Sequence, residues 1–167
     1  MTITIRPVAA ADAAEIVDLL NPIMAAGTYT IMEGPFSVQD QVDFIRRFPK
    51  RGVYLAAVDD ASQRVLGIQD VIPMAGGSEV FAHVGEISTF VGLDAHRTGI
   101  GQLLCRATFE RAAALGFMKL MANVRGDNPV AAAFYQSQGF RRIGIARQHA
   151  FVRGAYIDEI ILERLLA

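Results

Sequence analysis

The stretch Phe90-Val91-Gly92-Leu93-Asp94-Ala95-His96-Arg97-Thr98-Gly99-Ile100-Gly101 constrains the fold more than any other part of the chain. An apolar, β-branched run enters a short polar loop and then a glycine-containing helix start. The apolar positions Ile100, Leu103, Leu104, Ala107 and Ala114 write the helix, and Gly116 stops it. The first turn of a helix carries unpaired N–H groups and a partial positive charge. Glycine removes side chains there, so Gly99 and Gly101 leave the backbone open to a phosphate. His96 and Arg97 add a cationic edge. Taken alone, one Gly-x-Gly is weak evidence, and a plain strand-to-helix turn is the alternative. No Gly-Lys-Ser/Thr follows, which excludes a P-loop. The third glycine of a dinucleotide fingerprint is missing, and the preceding strand belongs to an antiparallel hairpin rather than to a leading βαβ unit.

The remaining punctuation gives one α/β unit. Ile3–Val8 alternates as an edge strand does. Asp12–Met24 is helical, with Ile16, Leu19, Leu20 and Ile23 on one face and Gly27 as its stop. Ser37 caps a second helix over Val38–Phe48. Val53–Val58 and Val65–Ile72 are strands split by Asp59-Asp60-Ala61-Ser62. Gly76-Gly77 turns the chain into a long strand, Val80–Val91, in which Gly85 marks a bulge or a close backbone approach. Leu120–Val124 is a short buried strand. Asn128-Pro129 opens a helix that runs to Gln138 and stops at Gly139. Phe140–Ile145 and Tyr156–Leu165 are the last strands.

A length of 167 residues favours a single domain over 1–167. A hydrophobic fraction of 52% with 20% charged residues excludes disorder as a description of the whole. The net charge of -1 argues against a strongly basic nucleic-acid binder. No apolar run approaches the ~18 residues that a membrane span needs. Asp12 and Glu15 come too early for a signal peptide. A soluble, cytoplasmic protein is expected. Cys105, the single cysteine, reads as a core residue and cannot form an internal disulfide. His83, His96 and His149 show no metal-ligand spacing, so no metal is expected.

On these residues the chain resembles the GNAT superfamily of acetyl-CoA-dependent N-acetyltransferases. The family's pyrophosphate loop, Arg/Gln-x-x-Gly-x-Gly/Ala, is matched by His96-Arg97-Thr98-Gly99-Ile100-Gly101. His96 replaces the usual Arg or Gln and Leu93 stands where proline is common, so Arg97 is the alternative phosphate contact. The second motif, Asn then Ala then Tyr then Gly-Phe, is matched without gaps by Asn128-Pro129-Val130-Ala131-Ala132-Ala133-Phe134-Tyr135-Gln136-Ser137-Gln138-Gly139-Phe140. Within the superfamily the chain is most similar to the phosphinothricin and methionine sulfoximine acetyltransferase branch. Glu86-Ile87-Ser88-Thr89-Phe90-Val91, Asn21 and Gly154-Ala155-Tyr156-Ile157-Asp158 carry that likeness. Tyr135 departs from it, since the branch often has His there.

The resemblance implies an α/β (α+β) GNAT fold, a mostly antiparallel sheet of about seven strands flanked by about four helices. It implies acetyl-CoA as co-substrate, a small-molecule amine as acceptor and a homodimer. Phe90, Val91, His96, Arg97, Thr98, Gly99, Ile100, Gly101 and Asn128 would hold the cofactor, with Asn128 on its pantetheine arm. A backbone N–H near Phe90 or Val91 would face the oxyanion.

The chemistry can be read beside the family. An alkylamine has a pKa near ~10, so it must lose a proton before it attacks a thioester. Glu86 lies mid-strand in an apolar context that should raise its pKa, and it is the candidate base; an outward-facing or Arg-paired Glu is the alternative. Tyr135 is the candidate donor to the departing thiolate, against an ordinary packing role. Direct attack in a ternary complex needs no covalent enzyme intermediate. Tyr29 and Glu33, in the segment between the first two helices, and Ser88 are the candidate acceptor contacts. Arg153 with Tyr156 could meet an acidic substrate group across a dimer seam. The acceptor is expected to be an amino acid or an amino-acid-like toxin. Peptide, protein or polyamine acceptors, and a non-enzymatic acyl-CoA-binding module, are the alternatives.

Overall fold

The computed structural model describes residues 2–166. In chain order the elements are β1 (Ile3–Pro7), α1 (Ala13–Ala26), α2 (Val38–Arg47), β2 (Val53–Asp59), β3 (Val65–Pro73), β4 (Val84–Val91), α3 (Ile100–Ala114), β5 (Lys119–Arg125), α4 (Pro129–Ser137), β6 (Arg141–Val152) and β7 (Ala155–Leu165). The strands form one seven-stranded sheet in the order β1-β2-β3-β4-β5-β7-β6. Every pairing is antiparallel except β4 with β5.

The helix ends follow the residues that mark them. Ser37 Oγ accepts from Asp40 N at 3.1 Å and the Asp40 carboxylate accepts from Ser37 N at 3.0 Å, a reciprocal cap on α2. Asn128 Oδ1 accepts from Ala131 N at 3.2 Å, and Pro129 fills the next position of α4. One face of the sheet packs under α3, with Leu55, Val71, Ile87, Leu104 and Leu120 in its core. The opposite face packs under α1, where Ile16, Leu20 and Ile23 meet Ala56, Val58 and Ile68. Among the described residues no helix is long and apolar enough to cross a membrane.

Two strands differ from their sequence reading. The expected strand start at Val80 is a single 3₁₀ turn, Glu79–Phe81, and β4 begins at Val84. The turn closes its own bonds, Phe81 N to Ser78 O and Ala82 N to Glu79 O. Val80 is 76% exposed, so its apolar side chain has no strand partner to recruit it. The strand expected to end at Ile145 instead continues to Val152. Its polar stretch is accommodated by a bulge between Ala146 and Ala150, where Asp158 accepts from Gln148 N at 2.7 Å and from Arg147 at 3.0 Å. Gly85 marks a close approach rather than a bulge: the β3–β4 register runs through it unbroken, and a Cβ there would meet Val71 Cγ1 at 2.5 Å.

Candidate active site

The β4–β5 pairing covers only Val84–Lys119, Gly85–Leu120 and Glu86–Met121. Beyond Glu86 the two strands no longer bond, and a gap opens in the middle of the sheet. A cavity of about 750 Å³ lies beside it, between the end of β4, the start of α3 and α4. Phe90, Val91, His96, Arg97, Gly99, Ile100, Gly101 and Asn128 line it together with Tyr135 and Tyr29. Thr98 does not, because its hydroxyl turns back to donate to Ala95 O at 2.6 Å. Glu86, Ser88 and Glu33 also lie outside the lining.

Alternation along β4 decides which backbone groups face the gap. Gly92 N donates to Leu66 O of β3 at 2.9 Å, and residues two apart in a strand point the same way, so the Phe90 amide also serves β3. The Val91 N–H and C=O therefore turn toward the gap. His96 Nε2 lies 3.1 Å from Val91 O, which anchors the imidazole at the cavity rim.

The two glycines at the α3 start do different work. Gly99 is the residue before the helix, with φ +86°, and a Cβ there would meet nothing within 4 Å. It leaves open space in front of the first-turn N–H groups of Ile100, Gly101 and Gln102, with no acidic residue in that turn. This cradle can take an anion such as a pyrophosphate. A Cβ on Gly101 would lie 2.8 Å from the Phe134 ring, so Gly101 is small because α3 and α4 touch there.

Tyr135 is 6% exposed, wedged edge-on between the Phe134 and Phe140 rings at 5.3 and 5.1 Å. Burial pushes its phenol well above the ordinary range, so the hydroxyl stays protonated at neutral pH. Its oxygen lies 2.9 Å from Thr89 Oγ1. Thr89 in turn accepts from Gln69 Nε2 at 2.8 Å, and the same nitrogen reaches Cys105 Sγ at 3.2 Å. Cys105 is fully buried, as a core residue should be, and burial pushes its thiol up to about 11.

The opposite face of β4 holds a different set. The register puts Tyr54, Asp70 and Ser88 side by side across three strands, with Glu86 one diagonal step from Asp70. Asp70 has no hydrogen-bond or ion-pair partner among the described residues, and burial pushes its carboxyl up to about 7. Sequence reasoning missed both Gln69 and Asp70. The available signal was two adjacent polar residues inside Val65-Leu66-Gly67-Ile68-Gln69-Asp70-Val71-Ile72, one for each face of the strand.

The segment between α1 and α2 is tied down from several sides. Asn21 bonds both Phe36 N, at 2.8 Å, and Phe36 O, at 3.0 Å. Buried Arg125 donates to Gly27 O at 2.8 Å and Thr30 O at 3.1 Å, while two bonds to Asp127 fix its guanidinium. Asn128 Nδ2 donates to Tyr29 O at 3.1 Å. Asn128 thus caps α4 with one end of its amide and holds this segment with the other, so both ends are engaged within the protein. Tyr29 meets His96 edge-on at 5.7 Å and borders the cofactor-sized cavity, while Glu33 is exposed. Arg153 donates to Met24 O at 2.9 Å and Ala25 O at 3.2 Å, so it caps the end of α1 rather than presenting itself to a substrate.

Comparison with known proteins agrees with this geometry. The family model described as "Acetyltransferase (GNAT) family" matches residues 23–140. Phosphinothricin N-acetyltransferase of Streptomyces coelicolor is 27% identical over 98% of this chain and 96% of its own length. The L-methionine sulfoximine/L-methionine sulfone acetyltransferase of Pseudomonas aeruginosa is 26% identical over 95% of this chain and 91% of its own. A phosphinothricin acetyltransferase from Sinorhizobium meliloti, solved in complex with AcCoA, superposes with a TM-score of 0.90 at 25% identity, covering 100% of this chain and 90% of that one. The seven-stranded mixed sheet with four α-helices is the GNAT fold, and the open cradle at Gly99 suits the pyrophosphate of acetyl-CoA. The chain belongs to the GNAT acetyltransferase family and is an acetyl-CoA-dependent N-acetyltransferase.

Proposed function

We propose that the acceptor is the primary amine of a small molecule, an amino acid or an amino-acid-like toxin. The observation that carries this reading is the full-length likeness to enzymes named for phosphinothricin and methionine sulfoximine. The tethered segment between α1 and α2 supports it, since a fixed wall beside β4 suits a small ligand. Acetyl-CoA supplies the acetyl thioester. The first-turn amides of α3 and the cationic edge of His96 and Arg97 hold its phosphates. Glu86 takes the proton that the substrate ammonium must lose. The Val91 N–H faces the gap as the donor for developing negative charge. Tyr135, which lines the cavity with its phenol protonated, donates that proton to the departing CoA thiolate. Ser88 and Asp70 share the Glu86 face and border the acceptor. Residues 1–167 act as one domain in this reading. The unpaired Cys105 supports a reducing, cytoplasmic setting. Exposed Phe151 and Tyr156, on the edge hairpin β6–β7, support a homodimer.

Release of free CoA thiol from acetyl-CoA, measured against amino acids, methionine sulfoximine and sulfone, phosphinothricin, spermidine and short peptides, tests the acceptor class. Turnover on one amino-acid-like amine is the expected result; turnover confined to peptides or polyamines overturns it. With that substrate, Glu86→Gln should lower kcat about 100-fold at neutral pH. An unchanged pH–rate profile would remove Glu86 from the proton path and leave Asp70 as the carboxylate to test.

A further inference from the structure

Gln69, Thr89 and Tyr135 form a line of hydrogen bonds that runs from the buried core to the cavity, and the arrangement has a direction. Gln69 is 0% exposed. Its Nε2 has two protons and two neighbours, Thr89 Oγ1 at 2.8 Å and Cys105 Sγ at 3.2 Å. Its Oε1 is buried with no partner. The reversed amide would place Oε1 against both neighbours and leave the NH₂ buried without an acceptor. A buried donor without a partner is the rarer defect, so the amide stays as described.

With Gln69 donating, Thr89 Oγ1 has one proton left to give, and its other neighbour is Tyr135 Oη at 2.9 Å. If Tyr135 donated to Thr89 instead, the Thr89 proton would be the one left over, on a residue that also lines the cavity, and the phenol would have no proton to give there. The order Gln69 to Thr89 to Tyr135, each donating to the next, is the one that leaves the phenol's proton free to act in the cavity. The Tyr135 proton is then the one not engaged inside the protein, on a residue that lines the cavity.

We infer that Thr89, set by Gln69, is a positioning residue that donates its hydroxyl proton to Tyr135 Oη and so turns the phenol's own proton toward the cavity. The inference rests on the role of Tyr135 under Proposed function. The proton balance is simple: Tyr135 gives up its O–H proton to the departing CoA sulfur, and the resulting phenolate keeps the Thr89 hydrogen bond. A donor to the phenolate stabilises it, so Thr89 should ease that transfer.

The sign of a titration tests the direction in the free protein. With difluorotyrosine at position 135, whose phenol ionises in an accessible range, absorbance reads the midpoint directly. Thr89→Val should raise that midpoint by about 1 pH unit, because a bond favouring the ionised form is lost. Thr89→Ser should return it to the starting value. A midpoint that falls in Thr89→Val would show that Tyr135 donates to Thr89, and an unchanged midpoint would show that the contact carries no bond; either overturns the inference. Thr89→Ala gives the same reading if the valine variant does not fold.

Kinetics of the native-tyrosine enzyme separate this inference from its parent. Thr89→Val should lower kcat about tenfold with the KM for acetyl-CoA unchanged, and add nothing further in a Tyr135→Phe background. If Tyr135→Phe alone leaves kcat unchanged, the role of Tyr135 fails. If Tyr135→Phe lowers kcat while Thr89→Val does not, the role of Tyr135 stands and the positioning by Thr89 fails.

Discussion

Gly99→Asp should weaken acetyl-CoA binding by about 10³-fold, because it sets a carboxylate in the space proposed for the phosphates at the α3 amides. The new side chain has room, since a Cβ at Gly99 meets nothing within 4 Å. It enters the space in front of the Ile100, Gly101 and Gln102 amides. The backbone at φ +86° is left-handed, which Asp and Asn tolerate better than other side chains. The strain of roughly 1 kcal/mol should lower the melting temperature by only about 2–4 °C. Gly99→Asn is the matched control, equal in size and backbone tolerance but neutral, and should lose about tenfold in affinity. Calorimetry on the three proteins separates charge from bulk. Equal affinities for Asp and Gly at this position would move the pyrophosphate away from the α3 start. Gly101→Asp is a poorer test than the motif suggests, because any side chain there strikes the Phe134 ring.

The parts of the fold that were legible in the sequence are those set by local chemistry. Gly27 ends α1 at φ +71° with its N–H on Met24 O, and Ser37 and Asn128 cap the helices they precede. Such positions need only the residue and its near neighbours. The loop from Leu93 to Gly99 was legible for the same reason, and eight of the nine candidate cofactor contacts, drawn from β4, this loop, the start of α3 and Asn128, line one cavity although their elements lie far apart in sequence. That juxtaposition depends on where β4 and β5 stop pairing, which no single strand records.

What escaped the sequence depended on pairing. Val80 is apolar and β-branched and reads as strand, yet it has no neighbour to bond. Arg147-Gln148-His149 reads as an end, yet Asp158 from the adjacent strand satisfies the bulge and β6 continues. Gln69 and Asp70 look like a polar interruption of a buried strand. Only the register shows that one faces Thr89 and Cys105 while the other faces Tyr54 and Ser88. The two faces of the sheet thereby hold separate groups: Gln69, Thr89 and Tyr135 on one, Tyr54, Asp70, Glu86 and Ser88 on the other.

Asp70→Asn should stabilise the protein at pH 8 by about 4 kcal/mol, the free-energy equivalent of moving a carboxyl from its ordinary 3.8 to about 7. Below the ordinary value both the folded and the unfolded chain hold the proton, and Asp70 contributes nothing. Between 3.8 and about 7 the folded protein keeps a proton that the unfolded chain has released, so stability falls as pH rises. Above about 7 both forms are ionised and the full cost of the desolvated charge is present. Asn keeps the shape and removes the charge. The melting temperatures of the two proteins should coincide near pH 3.5 and separate by about 10 °C at pH 8. Taking the difference between the two curves cancels Asp12, Asp127 and Glu163, whose cationic partners lower their pKa values and make them lose stability in acid in both proteins. Parallel curves would show that Asp70 titrates as an ordinary carboxyl. A lower melting temperature for Asp70→Asn at pH 8 would show that the ionised form is itself stabilised. The expected separation would mean that the fold tolerates a costly carboxyl one diagonal step from Glu86, the base proposed for the acceptor amine. A bound ammonium group beside Asp70 would offset that cost, so an acceptor amine should narrow the gap between the two melting curves.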